Sequence, residues 1–229
     1  MNKLTVSMTD KAQFSGLIYL LLDLFILPAI LVTGNSLLPT PLPEALVNCI
    51  YFALNFLCVV LILHRFLWQS VKLAYKAPLS LLKYALIGFV LYELGTYLVN
   101  LGIVLIMPDF ANVNDQAIIT MSKDYFTLTA IGLVLLVPVV EEALYRGLVF
   151  RLIYERSKIL GYLLSTIVFS SIHVISYLGA YDPKVLLLCF VQYLPAGLCL
   201  AWTYVKADNI FAPILVHMTI NLIGVATMR

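Results

Sequence analysis

Seven apolar runs fill this chain, at residues 14–34, 45–63, 82–107, 126–150, 159–178, 185–204 and 210–227. A helix needs about 20 mostly apolar residues to cross the hydrocarbon core of a bilayer. Inside lipid, every backbone N–H and C=O must be bonded within the protein, which leaves helices as the natural form for runs of this length. The pattern predicts an all-α, polytopic transmembrane helix bundle of about seven spans. Composition agrees: 62% of the 229 residues are hydrophobic and 11% charged, against roughly 45–50% and 25% in a soluble domain. The net charge of +2 and the lack of a basic patch interleaved with aromatics argue against a nucleic-acid partner. Cys49, Cys58, Cys189 and Cys199 all lie in apolar runs without CxxC or zinc-finger spacing, so they read as small buried hydrophobes.

The first run is too long for a signal-peptide core and lacks a small-x-small cleavage site, so it reads as a retained span. Lysine and arginine placement sets the orientation. With the N-terminus inside, the cytoplasmic parts collect Lys3, Lys11, Arg65, Lys72, Lys76, Lys83, Arg151, Arg156, Lys158 and Lys206, and the external parts only Lys123, Lys184 and Arg229. An integral protein of a bacterial plasma membrane, N-terminus cytoplasmic, is the expectation. The sequence divides at about 125: residues 1–125 hold three spans and a polar connection, "PDFANVNDQAIITMSKD", expected along the membrane surface. Residues 126–229 hold four spans and most of the intramembrane polar groups.

A charge near the bilayer centre costs at least ~2.5–3.5 kcal/mol on insertion scales, so such residues tend to face cavities and carry function. The candidates are Asp23, Glu93, Glu141, Glu142, Arg146, His173 and His217. Asp23 and Glu93 stand alone in their spans and read as carboxyls bonded to a neighbouring helix; Glu93, within "YELGTY", is also placed to line a shared cavity. In "VVEEALYRGLVF", Glu142 and Arg146 are i,i+4 neighbours able to pair on one helix face. Glu141 is turned ~100° away and is left free to act as acid or base. His173, in "FSSIHV", has Phe169 one turn before it; His217, in "HMTIN", has Asn221 one turn after it.

A carboxylate and an imidazole that converge can hold and deprotonate water. A second histidine and an asparagine one turn apart can donate hydrogen bonds to a developing oxyanion. These parts suffice for amide hydrolysis without a covalent intermediate or a cofactor, which is the preferred reading. The alternative is metal-assisted hydrolysis, with Glu141, His173 and His217 as zinc ligands, although no HExxH is present.

"EEALYR" fits EExxxR, "FSSIH" fits FxxxH and "HMTIN" fits HxxxN. In that order, on separate spans, they resemble the three motifs of the CPBP (CAAX protease and bacteriocin-processing, or Abi) family of intramembrane proteases, which includes the type II CAAX prenyl endopeptidase. The resemblance covers about 126–224. It implies that Glu141 activates water with His173, that His217 and Asn221 stabilise the oxyanion, and that Glu142 and Arg146 support the first motif. It implies a helical bundle often counted as eight spans, and it leaves the metal question open. The substrate class is a lipidated or membrane-associated peptide entering laterally from the lipids, with the scissile bond expected near the cytoplasmic face. The family's bacterial roles are processing of pheromones or bacteriocins and self-immunity to bacteriocins. A non-catalytic immunity or scaffold protein is the alternative; a proton-coupled transporter is disfavoured by the absence of an inverted repeat.

Overall fold

Local sequence chemistry sets where each helix begins and ends. In a computed structural model, which describes residues 4–227, the Thr9 hydroxyl accepts the Ala12 N–H at 3.3 Å and opens α1, Asp10–Phe25. Pro28 lacks an N–H; the helix breaks at Ile26, and α2, Leu27–Ser36, leaves at a bend of 41°. Helix α3, Glu44–Lys76, has 33 residues and so reaches ~50 Å, well beyond the hydrocarbon core. It stops at Ala77 (φ −140°, ψ 56°), because the following Pro78 disfavours helical backbone at the residue before it. Helix α4 runs Pro78–Ile106.

Most of the polar connection between the third and fourth runs is helical. Asn112 caps it by accepting the N–H groups of Asn114 and Asp115, and it winds into α5, Val113–Ile131, with a kink at Tyr125 (φ −130°, ψ 41°). The chain then continues through a π-helical turn, Gly132–Leu136, α6, Val137–Glu141, a wider π-helical stretch, Glu142–Phe150, and α7, Arg151–Tyr154. Helix α8, Lys158–Ile172, is capped by Ser157. A short 3₁₀ turn, Ile175–Tyr177, leads to α9, Pro183–Ala207, and then α10, Phe211–Thr227.

The chain is an integral membrane protein, but not all seven runs form full-length spans. Four helices are long and apolar enough to cross a membrane (Glu44–Lys76, Pro78–Ile106, Tyr125–Tyr154 and Pro183–Ala207), or five if the bent pair α1 and α2 counts as one. The fifth run, read as 159–178, is helical only to Ile172, where 15 residues end at the cap residue His173; Gly179, at φ 82°, turns the chain beyond it. The last is a 17-residue helix. Beside these four or five helices of crossing length, where about seven spans, or the eight of the resemblance, were expected, α8 and α10 are shorter apolar helices.

Short turns make successive helices antiparallel, so the bundle has two unlike ends. The α3–α4, α7–α8 and α9–α10 turns share one end with the start of α1. This end carries Lys11, Arg65, Lys72, Lys76, Lys83, Arg151, Arg156, Lys158 and Lys206; Lys3 and Arg229, used above for orientation, lie outside the described residues. The basic end is sewn shut. Arg151 Nη2 donates to the Leu4 carbonyl at 3.0 Å. The Thr5 N–H donates to Asp208 Oδ1 at 2.8 Å, and its hydroxyl to the other carboxylate oxygen. Asn209 Nδ2 donates to the Ser70 carbonyl at 2.9 Å, tying the α9–α10 turn to α3.

Helices α8 and α9 approach through small residues, as membrane helices do when backbones come close. A Cβ on Gly197 would lie 2.8 Å from the Thr166 Cα, and neither backbone can yield. Gly197→Ala is expected to push the two helices apart at a cost of about 1–3 kcal/mol, the usual penalty of overpacking. A lowered unfolding midpoint in detergent, together with reduced activity because α8 carries His173, is the measurement that checks it.

Candidate active site

The motif residues meet in the middle of the bundle. The Glu142–Arg146 pair expected from the spacing is present, with Nη1 to Oε1 at 2.9 Å and both side chains fully buried. It forms in a stretch that is π-wound rather than α-wound, a winding frequent at functional sites. Glu142 does more than neutralise Arg146: the same Oε1 accepts from His217 Nδ1 at 2.9 Å. Because a carboxylate only accepts, Nδ1 of His217 carries the hydrogen and its Nε2 is left for other partners. In the imidazolium form that Nε2–H is a donor.

His173 is set in the same way. Its Nδ1 lies 2.8 Å from the Phe169 carbonyl, which can only accept, so neutral His173 keeps a lone pair at Nε2. Its ring stacks on Tyr193 (4.1 Å, 25°) and leans on Phe169 (4.6 Å). Phe169 is the hub of the arrangement. The Arg146 guanidinium sits 4.1 Å over its ring, and His217 and Tyr145 meet it edge-on at 5.9 and 6.5 Å. An aromatic residue four before the histidine is thus placed to pack under both imidazoles and to face a buried cation.

Asn221 is used differently from the donor pair read in the sequence. Its Nδ2 donates to the Leu133 carbonyl at 2.7 Å. The reason lies in the winding. Val137 N–H bonds back to Gly132 O, five residues earlier; the next donor in that register would come from position 138 and reach Leu133 O. Pro138 has none, and Asn221 supplies it from α10.

Glu141, Tyr145, His173, Tyr193, His217 and Asn221 line a cavity of about 1290 Å³, whereas Glu142 and Arg146 stand behind its wall. Glu141 Oε2 is buried with no hydrogen-bond partner among the described residues. Asp23, read from the sequence as a carboxyl bonded to a neighbouring helix, is bonded to α3 and also lines the same cavity. Asp23 Oδ1 accepts from Tyr51 OH at 2.8 Å and Asn55 Nδ2 at 2.7 Å, and Tyr19 OH donates to Asn55 Oδ1 at 2.7 Å. Tyr51 and Asn55, an i,i+4 polar pair on an apolar span, were the available signal. Glu93 also lines the cavity.

The cavity opens away from the basic end. Exposed Pro43, Glu44, Gln116 and Tyr181 rim it, all from connections at the opposite end of the bundle. The Leu4–Thr5 strap and the tied turns lie at the basic end. At the open end, burial raises the Asp115 carboxyl above its ordinary range, with hydrogen bonding to Tyr193 opposing.

The profile of one family, described as type II CAAX prenyl endopeptidase Rce1-like, matches residues 123–223. Over this segment, 101 of the 229 residues, the chain is similar to the CAAX protease family. No curated protein and no solved structure matches the chain. The matched CAAX protease segment begins just before the Tyr125 kink and ends just after Asn221, so it contains all three motifs. The matched family is one of proteases. Among the described residues, no three or more His, Cys, Asp or Glu are grouped so as to hold a metal.

Proposed function

We propose that this protein is an intramembrane endopeptidase that hydrolyses a peptide bond in a membrane-associated or lipidated peptide, using water activated between Glu141 and His173. The observation that carries the reading is that Glu141 and His173 line one cavity with acceptors not used inside the protein: Glu141 Oε2 has no partner among the described residues, and His173 Nε2 is left by the bond from Nδ1 to Phe169. The carboxylate takes the proton of the attacking water, and His173 orients that water through its lone pair. The tetrahedral oxyanion forms toward His217, which in its imidazolium form donates from Nε2–H while its Nδ1–H is held by Glu142. Asn221 acts by bracing the Leu133 carbonyl and with its second amide hydrogen. Glu142 and Arg146 fix His217 and Phe169 from behind the wall.

The seven-run topology is kept in this reading, with the N-terminus cytoplasmic. Helix α8, 15 residues long, spans only ~22 Å, so His173 falls below the far membrane surface and irregular backbone completes the crossing. Such backbone is tolerated in a membrane where it lines a cavity. Processing of a pheromone or bacteriocin, or self-immunity to one, is the proposed role, by the family's bacterial members.

The test uses the purified full chain with a farnesylated C-terminal peptide and its unlipidated counterpart, products read by mass spectrometry. Cleavage of the lipidated peptide, unaffected by a strong zinc chelator, is the expected result. Loss of activity under chelation that zinc restores would overturn the metal-free chemistry. Failure to cleave this and any other membrane-bound peptide offered would overturn the protease reading.

A further inference from the structure

The cavity's charge is one-sided. Asp23, Glu44, Glu93, Asp115 and Glu141 line it and, among the described residues, no lysine or arginine does. Most lysines and arginines sit at the other end of the bundle, around the Leu4–Thr5 strap; Lys123 and Lys184 lie on the side of the mouth without lining the cavity, and Arg146 is paired with Glu142 behind its wall. A cleft lined by one sign of charge with low-dielectric walls focuses its field and concentrates ligands of the opposite sign.

Two further observations point to what enters. The first is Glu141, which lines the cavity and whose buried Oε2 has no partner among the described residues, so a donor is what this carboxylate lacks. The second is the chemistry between the mouth and Glu141. Amides of Asn100, Asn112 and Gln192 form a hydrogen-bonded ladder, Asn112 to Gln192 at 2.6 Å and Gln192 to Asn100 at 2.9 Å. Asn114 Nδ2 donates to Tyr193 OH at 3.0 Å, and Tyr193 stacks on His173. Side-chain amides can bond to an extended peptide backbone on both its donor and acceptor sides, and tyrosine faces attract ammonium and guanidinium groups.

We infer that the cavity is a binding site for a positively charged, extended peptide segment, with lysine or arginine side chains held at the Glu44–Asp115 mouth while the backbone runs along the Asn112–Gln192–Asn100 ladder toward Glu141. The segment arrives from the face opposite the basic end, which is the outer face if lysine and arginine mark the cytoplasm. The inference rests on the reading of this cavity as the substrate site of a protease and names the class of substrate.

The test compares two fluorescein-labelled peptides of one length, one bearing lysines and the other glutamates at the same positions. Their binding to the full-length Glu141→Gln variant in a neutral detergent is followed by anisotropy at mildly alkaline pH. The lysine peptide is expected to bind roughly tenfold or more tightly than the glutamate peptide, with the preference shrinking at high salt. In a Glu44→Gln/Asp115→Asn background it falls toward parity. Glu44 is exposed, so Glu44→Gln alone keeps the test alive should the Asp115 change disturb folding. Equal binding of the two peptides, or a preference unmoved by these variants, overturns the proposal. Cleavage separates it from the protease reading. If the wild-type chain binds the lysine peptide selectively and never cleaves it, the protease reading fails and the cationic site stands. If it cleaves both peptides at equal rates, the cationic site fails and the protease reading stands.

Discussion

Glu141→Gln is expected to slow peptide hydrolysis roughly 10²–10⁴-fold, the range a positioned general base supplies, while leaving the unfolding midpoint near that of the wild-type chain. The substitution keeps the shape of the side chain and removes only its ability to take a proton. Glu141 Oε2 has no hydrogen-bond partner among the described residues, so no native contact of that atom is lost. Glu93→Gln serves as the control, since Glu93 lines the same cavity without standing among the motif residues. A rate for Glu141→Gln close to that of the control would remove Glu141 from the chemistry.

Glu142→Ala is expected to have the largest structural effect of any single change. It leaves the Arg146 guanidinium, fully buried with Glu142 as its ion-pair partner, with an uncompensated charge. Breaking a buried pair in this way costs about 3–5 kcal/mol. The same change frees His217 Nδ1, so activity falls along with stability. The two consequences can be separated with Glu142→Leu/Arg146→Met. Removing both charges is often neutral for stability, so the double variant regains the unfolding midpoint in detergent and remains inactive, because His217 has still lost its partner. A Glu142→Ala chain as stable as wild type would show that Arg146 does not depend on this carboxylate.

How much of this was legible in the sequence depended on the range of the interaction. The i,i+4 spacing of Glu142 and Arg146 predicted their pair, because neighbours on one helix face meet whatever the rest of the fold does. The same holds for Phe169 beneath His173. The third partner of Glu142, His217, lies 75 residues along the chain, and no local pattern encodes which carboxylate an imidazole on another helix will reach. Asn221 illustrates the limit more closely. Its bond to Leu133 O follows from Pro138 and an i→i−5 register, and the proline was visible while the register was not. Hydropathy located the apolar helices but not α5, most of which winds from a polar segment, nor the early end of α8, since apolar side chains continue past His173 after the backbone has left the helix. Charge counting found the basic end; which end the cavity opens to depended on the Leu4–Thr5 strap and the tied turns, contacts between segments far apart in sequence.

The central claim is that Glu141 and His173 act together on one water molecule, and a double-mutant cycle on turnover tests it most directly. Residues that work as a unit are strongly non-additive, so the loss of both costs little more than the loss of either. The prediction is that Glu141→Gln, His173→Ala and the double variant of the full-length chain cleave a membrane-bound peptide at nearly the same residual rate. Single-variant losses that multiply in the double variant, or a Glu141→Gln chain that turns over like wild type, would contradict it.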